Sequence, residues 1–190
     1  MGTLRVHEKE LREGRLVLRP MTEGDRELLV RWNSDREVHD LCDSHEYSGP
    51  EELMDMYREV SQTAFNFIIG HEGRPIGECW LQHMNIPALL EEFPGKDLRR
   101  IDLMIGEKGA WNLGLGTRVI AMLCSLGFES ENCDAIFACF VSSDNPRSMR
   151  VFRKNGFSFH GTSRTRTGEP VPGDSTLILE RQDWLAGRGG

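Results

Sequence analysis

Short apolar runs alternate along the chain with segments in which apolar residues recur at helical spacing. The runs that predict strands cover 15–20, 63–70, 75–84, 99–105 and 135–141, with two more near 157–164 and 175–180. Helical segments are predicted from Thr22, from about Pro50, from near Leu115 and from Pro146. Residues 85–98 interrupt the pattern with two prolines and a glycine, which predicts a loop. This order predicts a mixed β-sheet flanked by helices.

Length and composition favour a single domain. The chain has 190 residues, of which 38% are hydrophobic, enough to bury one sizeable core but short for two. We therefore divide it into a charged leader over 1–14, one domain over 15–183 and a flexible tail over 184–190. No run approaches the roughly 18 apolar residues of a membrane span, and the start lacks the apolar segment of a signal peptide. We predict a cytoplasmic protein with no membrane contact.

Charge and cysteine content exclude several classes of partner. Acidic residues number 30 against 23 basic ones, and the net charge of −7 is unsuited to holding nucleic-acid phosphates. A negative net charge favours cationic partners, although many proteins carry such a charge only for solubility. The five cysteines include no CxxC pair and the six histidines no HExxH pattern, so we predict reduced core thiols and no metal site.

The segment WNLGLGT, residues 111–117, joins a predicted strand to a predicted helix. The first amides of a helix have no intrahelical partner, so glycines at 114 and 116 would let a pyrophosphate approach them closely. A plain strand-to-helix turn also needs small residues, and the motif alone leaves both interpretations open. It is not a Walker loop, and it lacks the third glycine and the distal acidic residue of a dinucleotide-binding oxidoreductase.

A second segment, DNPRSMRVFRKNGF at 144–157, predicts a helix that is capped by Asn145 and ends before Gly156. Together with the glycine turn upstream of it, this segment resembles the GNAT superfamily of acetyl-CoA-dependent N-acetyltransferases. The resemblance covers residues 15–180. It implies an α+β GNAT fold with a central mixed, mostly antiparallel sheet flanked by helices. It also implies acetyl-CoA as co-substrate and no metal.

Within that superfamily, IDLMIGEKGAWNLGLGT and NPRSMRVFRKNGF resemble the aminoglycoside 6'-N-acetyltransferases. This resemblance implies acetyl transfer to the 6'-amine of a cationic aminoglycoside, and hence a role in antibiotic resistance. Asp102 falls on the aspartate that holds the acceptor amine in that group, so it is the predicted catalytic residue. The irregular segment 85–98, which contains Glu91 and Glu92, matches an insertion in the same group.

The resemblance implies two sets of binding residues. The acetyl-CoA contacts are predicted at Leu103, Met104, Ile105, Trp111, Asn112, Gly114, Leu115, Gly116, Thr117, Asn145, Phe152 and Lys154. The predicted substrate residues are Asp102, Glu91, Glu92, Asp40 and Glu78, an acidic rim for a cationic sugar. Apart from Asp102, each of these acidic residues is also typical of a solvated charge at the protein surface, without a binding role. A lysine such as Lys154 is also typical of a helix C-terminus, where its positive charge balances the negative end of the helix dipole.

The sequence departs from the family pattern at three aromatic positions. Trp111 stands where most GNAT proteins have Gln or Arg, which leaves more of the phosphate binding to main-chain amides. Phe152 stands where many have a Tyr that protonates the CoA sulfur, and phenylalanine has no proton to give. Phe140 aligns near a second acidic substrate residue of some aminoglycoside enzymes.

For Asp102 we hypothesise an anchor that orients the amine and passes its proton on through water. A carboxylate near its reference pKa of ~3.9 is a poor direct base for an ammonium near ~10.4. A structural hydrogen bond at a strand bulge is the alternative role for this residue.

Three wider questions stay open. The opening LRPMTEGD…LLVRWNSD also resembles ribosomal-protein acetyltransferases, so a protein N-terminus or another small amine is the alternative acceptor. A non-catalytic acyl-CoA binding module is a second alternative, suggested by Phe152 and Trp111. Both a monomer and a homodimer are compatible with the sequence.

Overall fold

The computed structural model describes residues 2–42, 49–165 and 167–188. The strands in these ranges are β1 (Leu11–Glu13), β2 (Leu16–Pro20), β3 (Ala64–His71), β4 (Arg74–His83), β5 (Leu98–Met104), β6 (Ala135–Ser142), β7 (Ser158–Arg164) and β8 (Pro170–Glu180). The α-helices are α1 (Arg26–Ser34), α2 (Arg36–Cys42), α3 (Pro50–Ser61), α4 (Pro87–Glu92), α5 (Leu115–Ser125), α6 (Pro146–Lys154) and α7 (Arg181–Arg188). Short 3₁₀ turns cover Glu23–Asp25 and Lys108–Ala110, and a π-helical turn covers Leu126–Ser130. The predicted α+β class is confirmed.

In the described part of the chain, the strands form one sheet of eight in the order β1-β2-β3-β4-β5-β6-β8-β7. β5 and β6 are parallel, with Leu98 opposite Ala135 and Arg100 opposite Phe137. The pairs β1/β2, β2/β3, β3/β4, β6/β8 and β7/β8 are antiparallel. The predicted mixed, mostly antiparallel sheet is therefore confirmed.

The contacts within the chain distinguish two compact units. The first contains Met1–Gln82 and Leu103–Val119, and the second contains His83–Asp102 and Ile120–Gly190. The chain passes from the second unit to the first inside β5, immediately after Asp102. Each unit has a hydrophobic core of its own.

In the first unit, α3 contacts both α1 and β3. The core there contains Leu29 and Trp32 from α1, Met54 and Tyr57 from α3, and Ile68 from β3. These residues lie at helical spacing on α1 and α3, so each helix buries one face. The aromatic side chains contribute the largest buried areas, since a Trp or Tyr removes more surface from water than an aliphatic residue does.

In the second unit, the core forms around β6 and its neighbours. Phe137 of β6 is fully buried together with Leu98 of β5 and Ile178 of β8. Leu89 of α4 joins this cluster, and the ring of Phe93 meets the ring of Phe137 edge to face at 5.6 Å between centroids. The region around α4 is therefore packed onto the strands of its own unit.

The helix ends use the capping residues that the sequence predicts. The Thr22 N–H donates to the carboxylate of Asp25 at 2.9 Å, a reciprocal capping arrangement before α1. Pro50 occupies the first position of α3, where its missing N–H removes no hydrogen bond. Asn145 caps α6, because its side-chain oxygen accepts the N–H of Ser148 at 3.1 Å.

Four elements were not predicted: β1, α2, α4 and α7. β1 lies in the charged leader and pairs with β2, with Leu11 opposite Leu18. The predicted loop over 85–98 contains α4, because a proline such as Pro87 is compatible with the first position of a helix. α7 enters the predicted tail, where the ring of Trp184 packs against Phe128 at 5.1 Å between centroids.

The described cysteines are buried. Cys79, Cys124, Cys133 and Cys139 are free thiols, and burial raises the pKa of each, to about 12 for Cys133 and Cys139. These four are reduced core residues, as predicted, while the side chain of Cys42 lies outside the described residues. None of the described helices is both long and apolar enough to cross a bilayer.

Candidate active site

The glycine turn lies between β5 and α5, in the first unit. Asn112 and Gly114 have φ of 63° and 75°, the left-handed conformation that asparagine and glycine adopt most readily. The indole N–H of Trp111 donates to the main-chain oxygen of Ile105 at 2.7 Å and closes the turn. The one N–H of the Trp111 side chain is therefore used within the turn itself.

The start of this turn is attached to α1. The indole N–H of Trp32 donates to the carboxylate of Glu107 at 2.8 Å, and Arg31 forms an ion pair with the same carboxylate. The Glu107 N–H donates to the main-chain oxygen of Ile76 on β4 at 3.0 Å. Gly106 lies so close to the Trp32 ring that a Cβ there would collide with it. These contacts hold the backbone that leads into the glycine turn.

The first turn of α5 offers main-chain donors at the end of the glycine turn. The first helical hydrogen bond runs from the Arg118 N–H to the Gly114 oxygen at 3.4 Å. The amides of Leu115, Gly116 and Thr117 precede it, and the helix dipole adds partial positive charge there. A Cβ on Gly114 would meet nothing within 4 Å, so there is open space beside the turn. This arrangement can hold an anion such as a pyrophosphate.

The end of β5 supplies the three residues predicted to contact acetyl-CoA through the main chain. Leu103 and Ile105 are half-buried, and Met104 packs in the core of the first unit. The Ile105 oxygen already accepts the Trp111 indole. The side chains of Leu, Met and Ile have no hydrogen-bond donor, so any donor to a ligand from this segment must be a main-chain N–H.

The other predicted acetyl-CoA residues lie on α6, in the second unit. Asn145 is the cap of this helix, and Lys154 is exposed in its last turn. Phe152 is buried, and its ring meets that of Phe157 edge to face at 5.2 Å between centroids. Its side chain is therefore a core residue of the second unit.

Asp102 forms an ion pair within its own strand. Its carboxylate lies 2.8 Å from Arg100, which donates to both carboxylate oxygens, and the two side chains are 29% and 14% exposed. Arg100 also donates to the side-chain oxygen of Asn85 at 3.3 Å. Residues two apart on a strand point to the same face, which brings the two charges together. A carboxylate has about four lone-pair sites, so Asp102 retains capacity for a substrate ammonium.

Next to Asp102, β6 is distorted. Its pairing with β8 shifts register between Ala138 and Val141, which marks a β-bulge. Phe140 in this bulge has φ of 58°, an unusual value for a bulky residue. Burial raises the pKa of the adjacent Cys139 thiol, with a smaller lowering effect from Arg100 and a smaller raising effect from Asp102. The bulge and the Asp102 carboxylate are thus close together in the second unit.

Comparison with known proteins identifies the family. The acetyltransferase (GNAT) domain matches residues 15–158, which is most of the chain. The chain belongs to the GNAT family. It is therefore an acyltransferase with acetyl-CoA as its acetyl donor, as predicted.

Relatives of this GNAT protein act on different amines. Aminoglycoside N(6')-acetyltransferase type 1 from Klebsiella pneumoniae is 27% identical over 170 residues, covering 82% of this chain and 80% of that protein. Among solved structures, AAC(6')-Ib in complex with paromomycin and acetyl-CoA has a TM-score of 0.73 at 22% identity, covering 91% and 97% of the two chains. Spermidine N-acetyltransferase from Vibrio cholerae, in complex with CoA and spermine, has a TM-score of 0.71 at 16% identity, covering 91% and 99%. These two likenesses establish the GNAT fold.

The remaining acidic residues predicted to bind substrate in this GNAT protein are divided between the units. In the second unit, Glu91 is exposed at the end of α4, and Glu92 lies 3.2 Å from His160 of β7. In the first unit, Asp40 is exposed on α2, 3.8 Å from both Arg36 and His39. Glu92 and Asp40 are thus each held by a basic neighbour.

Glu78 does not lie at an exposed rim. Its side chain on β4 is 4% exposed, and the Tyr57 hydroxyl donates to its carboxylate at 3.4 Å. Asn33 in turn donates to the Tyr57 hydroxyl oxygen at 3.2 Å. Buried carboxylates need such partners, so Glu78 belongs to a polar network inside the first unit.

Arg100 and Glu107 are not among the residues predicted from the sequence to bind or react. The signal for Arg100 was available, since a basic residue two positions before Asp102 on a strand must share its face. Glu107 lies within the segment IDLMIGEKGAWNLGLGT that carries the resemblance, but its contact with Trp32, 75 residues away in the chain, has no local signal. Among the described residues, no cluster of His, Cys, Asp or Glu is arranged to hold a metal ion.

Proposed function

We propose that this GNAT acetyltransferase transfers the acetyl group of acetyl-CoA to the 6'-amine of an aminoglycoside antibiotic. The observation that carries the proposal is the half-buried Asp102 carboxylate, on the strand that leads into the glycine turn. The 27% identity to an aminoglycoside N(6')-acetyltransferase supports the same acceptor. The chain would then act in the cytoplasm as a resistance enzyme.

In the proposed reaction, Asp102 anchors the acceptor. An amine with a pKa near ~10.4 is almost entirely protonated at pH 7, and a carboxylate beside it favours the charged form. The ion pair with Arg100 fixes the Asp102 carboxylate and partly neutralises it. In this proposal Asp102 binds and orients the ammonium, whose proton then leaves through water before the nitrogen attacks.

Main-chain donors stabilise the rest of the reaction in this proposal. An amide at the end of β5, within 103–105, donates to the oxyanion that forms on the thioester carbon. The amides of Leu115, Gly116 and Thr117 hold the pyrophosphate of acetyl-CoA at the start of α5. Phe152 gives no proton to the leaving sulfur, so the thiolate, with a thiol pKa of ~8.5, leaves unassisted or takes a proton from water.

A second candidate acceptor is a protein N-terminus or another small amine that carries less positive charge than an aminoglycoside. The observation that favours it is the Arg100 guanidinium beside Asp102, because it reduces the negative charge offered to a polycation. The structural likeness to a spermidine N-acetyltransferase is compatible with this acceptor class.

The two candidates are separated by one panel of acceptors. Purified protein is incubated with acetyl-CoA and kanamycin, tobramycin, spermidine or a short peptide, and released CoA is measured by chromatography. We expect the highest kcat/KM with an aminoglycoside. Turnover with spermidine or the peptide and with neither aminoglycoside would favour the second candidate and refute the first.

A further inference from the structure

Phe140 occupies a strained position on β6. Its φ of 58° lies in the left-handed region, and its side chain is 37% exposed. A bulky residue adopts this backbone conformation only where its surroundings enforce it. Bulges of this kind occur beside active sites, where they redirect a side chain.

The surroundings that enforce this conformation are a pair of buried hydroxyls. The Phe140 N–H donates to the Ser163 hydroxyl oxygen of β7 at 2.9 Å, and the Ser163 side chain is fully buried. Ser163 and Thr176 of β8 are hydrogen-bonded to each other at 2.9 Å. Side chains of β7 and β8 therefore hold the main chain of the bulge while the aromatic ring stays at the surface.

The exposed ring belongs to the strand next to the one that carries the predicted acceptor anchor. The β5/β6 pairing runs as far as Arg100 opposite Phe137, so Asp102 lies two residues beyond this pair on β5 and Cys139 two residues beyond it on β6. Phe140 follows directly. The second unit therefore places a carboxylate and an exposed aromatic ring on adjacent strands.

We propose that Phe140 is a specificity residue: its ring forms a wall against which the ring of an amino sugar packs while Asp102 holds the amine. This inference rests on the proposed function and adds the means by which the sugar is recognised. Aromatic side chains offer a large rigid apolar surface, and the C–H face of a sugar ring is apolar. Because Arg100 partly neutralises Asp102, contact with Phe140 supplies selectivity that charge alone does not.

The test compares two substitutions at Phe140 with a matched control. Phe140→Ala and Phe140→Gly both remove the ring, and only glycine also relieves the positive φ. Phe159→Ala removes another exposed phenylalanine, on β7. With kanamycin as acceptor, we expect both Phe140 variants to raise the acceptor KM about tenfold, with an unchanged KM for acetyl-CoA. Phe159→Ala should leave both values within about twofold.

A second readout requires no acceptor. Because the wild-type backbone is strained, Phe140→Gly should melt at the same temperature as Phe140→Ala or higher, although glycine normally lowers stability. An acceptor KM that stays at the parent value in both Phe140 variants would overturn the inference and leave the proposed function intact. An equal rise in Phe159→Ala would also count against it. A parent protein that acetylates no aminoglycoside would refute the proposed function, and with it the inference that Phe140 packs against the amino sugar.

Discussion

Left-handed backbone occurs both in the glycine turn and in the β6 bulge, and these two segments use opposite kinds of residue. In the glycine turn, Asn112 and Gly114 take positive φ, which these residue types tolerate well. In the β6 bulge the same conformation falls on Phe140, where it costs about 1–2 kcal/mol. A turn that must bring its backbone close to a ligand uses residues with little side chain. A bulge that presents a side chain cannot use glycine at that position, so the backbone strain of the positive φ remains.

The two segments are also held differently. The glycine turn is fixed by tryptophan side chains, through Trp32 to Glu107 and Trp111 to Ile105. The bulge is fixed by small hydroxyls, Ser163 with Thr176 behind it. The turn therefore depends on core packing in the first unit, whereas the bulge depends on hydrogen bonds between strands of the second. Substitutions in the glycine turn should consequently affect acetyl-CoA binding, whereas substitutions in the bulge should affect acceptor binding.

The largest expected effect is on the attachment of the glycine turn to α1. Gly106→Ala forces a Cβ into the Trp32 ring, and such overpacking should lower the free energy of unfolding by about 3 kcal/mol. Gly109→Ala is the matched control, because a Cβ there meets nothing within 4 Å. Thermal denaturation of both variants measures the difference. Equal melting temperatures would show that the turn is not held against Trp32.

The second prediction concerns the acceptor region. Asp102→Asn removes the charged partner of the substrate ammonium, so kcat/KM for the acceptor should fall about 100-fold while the Kd for acetyl-CoA stays unchanged. Asp97→Asn is the control, since Asp97 also pairs with an arginine two residues away, Arg99, at 2.7 Å. Steady-state kinetics and calorimetry give both quantities. A normal turnover of Asp102→Asn with every accepted amine would remove Asp102 from the mechanism.

The third prediction concerns acetyl-CoA binding. Gly116→Val places a branched side chain among the first amides of α5, so the Kd for acetyl-CoA should rise about tenfold or more. Trp111→Phe removes the indole N–H that donates to Ile105 and leaves a smaller aromatic ring, and it should raise the Kd by about threefold at most. Isothermal calorimetry measures both. If Gly116→Val bound acetyl-CoA as tightly as the parent, the turn would have a structural role alone.

The smallest expected effect separates strain from binding within the glycine turn. Gly114→Ala places a Cβ at positive φ in open space, which should lower stability by about 1 kcal/mol. Gly95 has the same geometry, with φ of 76° and nothing within 4 Å of an added Cβ. Gly95→Ala should therefore lower stability by the same amount. Only Gly114→Ala should also weaken acetyl-CoA binding. A weakening of equal size in both variants would mean that the effect comes from lost stability.

The same contrast explains how much of the protein could be predicted from its sequence. The glycine turn and the cap at Asn145 were evident because glycine, asparagine and proline have local conformational preferences. The helix α4 was missed because Pro87 can either begin a helix or interrupt one, and packing of Leu89 decides between them. Local pattern predicted most elements, and tertiary contacts determined the exceptions.

The candidate site was less predictable than the fold. Asp102 was identified by resemblance, but its ion pair with Arg100 changes the charge that a substrate meets. The bulge at Phe140 had no local signal, since phenylalanine is an ordinary strand residue and Ser163, which holds it, lies 23 residues later. Contacts between residues distant in sequence are not encoded in any short motif.

We propose that this GNAT protein acetylates the 6'-amine of an aminoglycoside. The most direct measurement is to incubate it with acetyl-CoA and kanamycin, isolate the product, and locate the new acetyl group by NMR. We expect a single N-acetyl group on the 6'-nitrogen. An unmodified kanamycin, or an acetyl group on any other nitrogen, would contradict it.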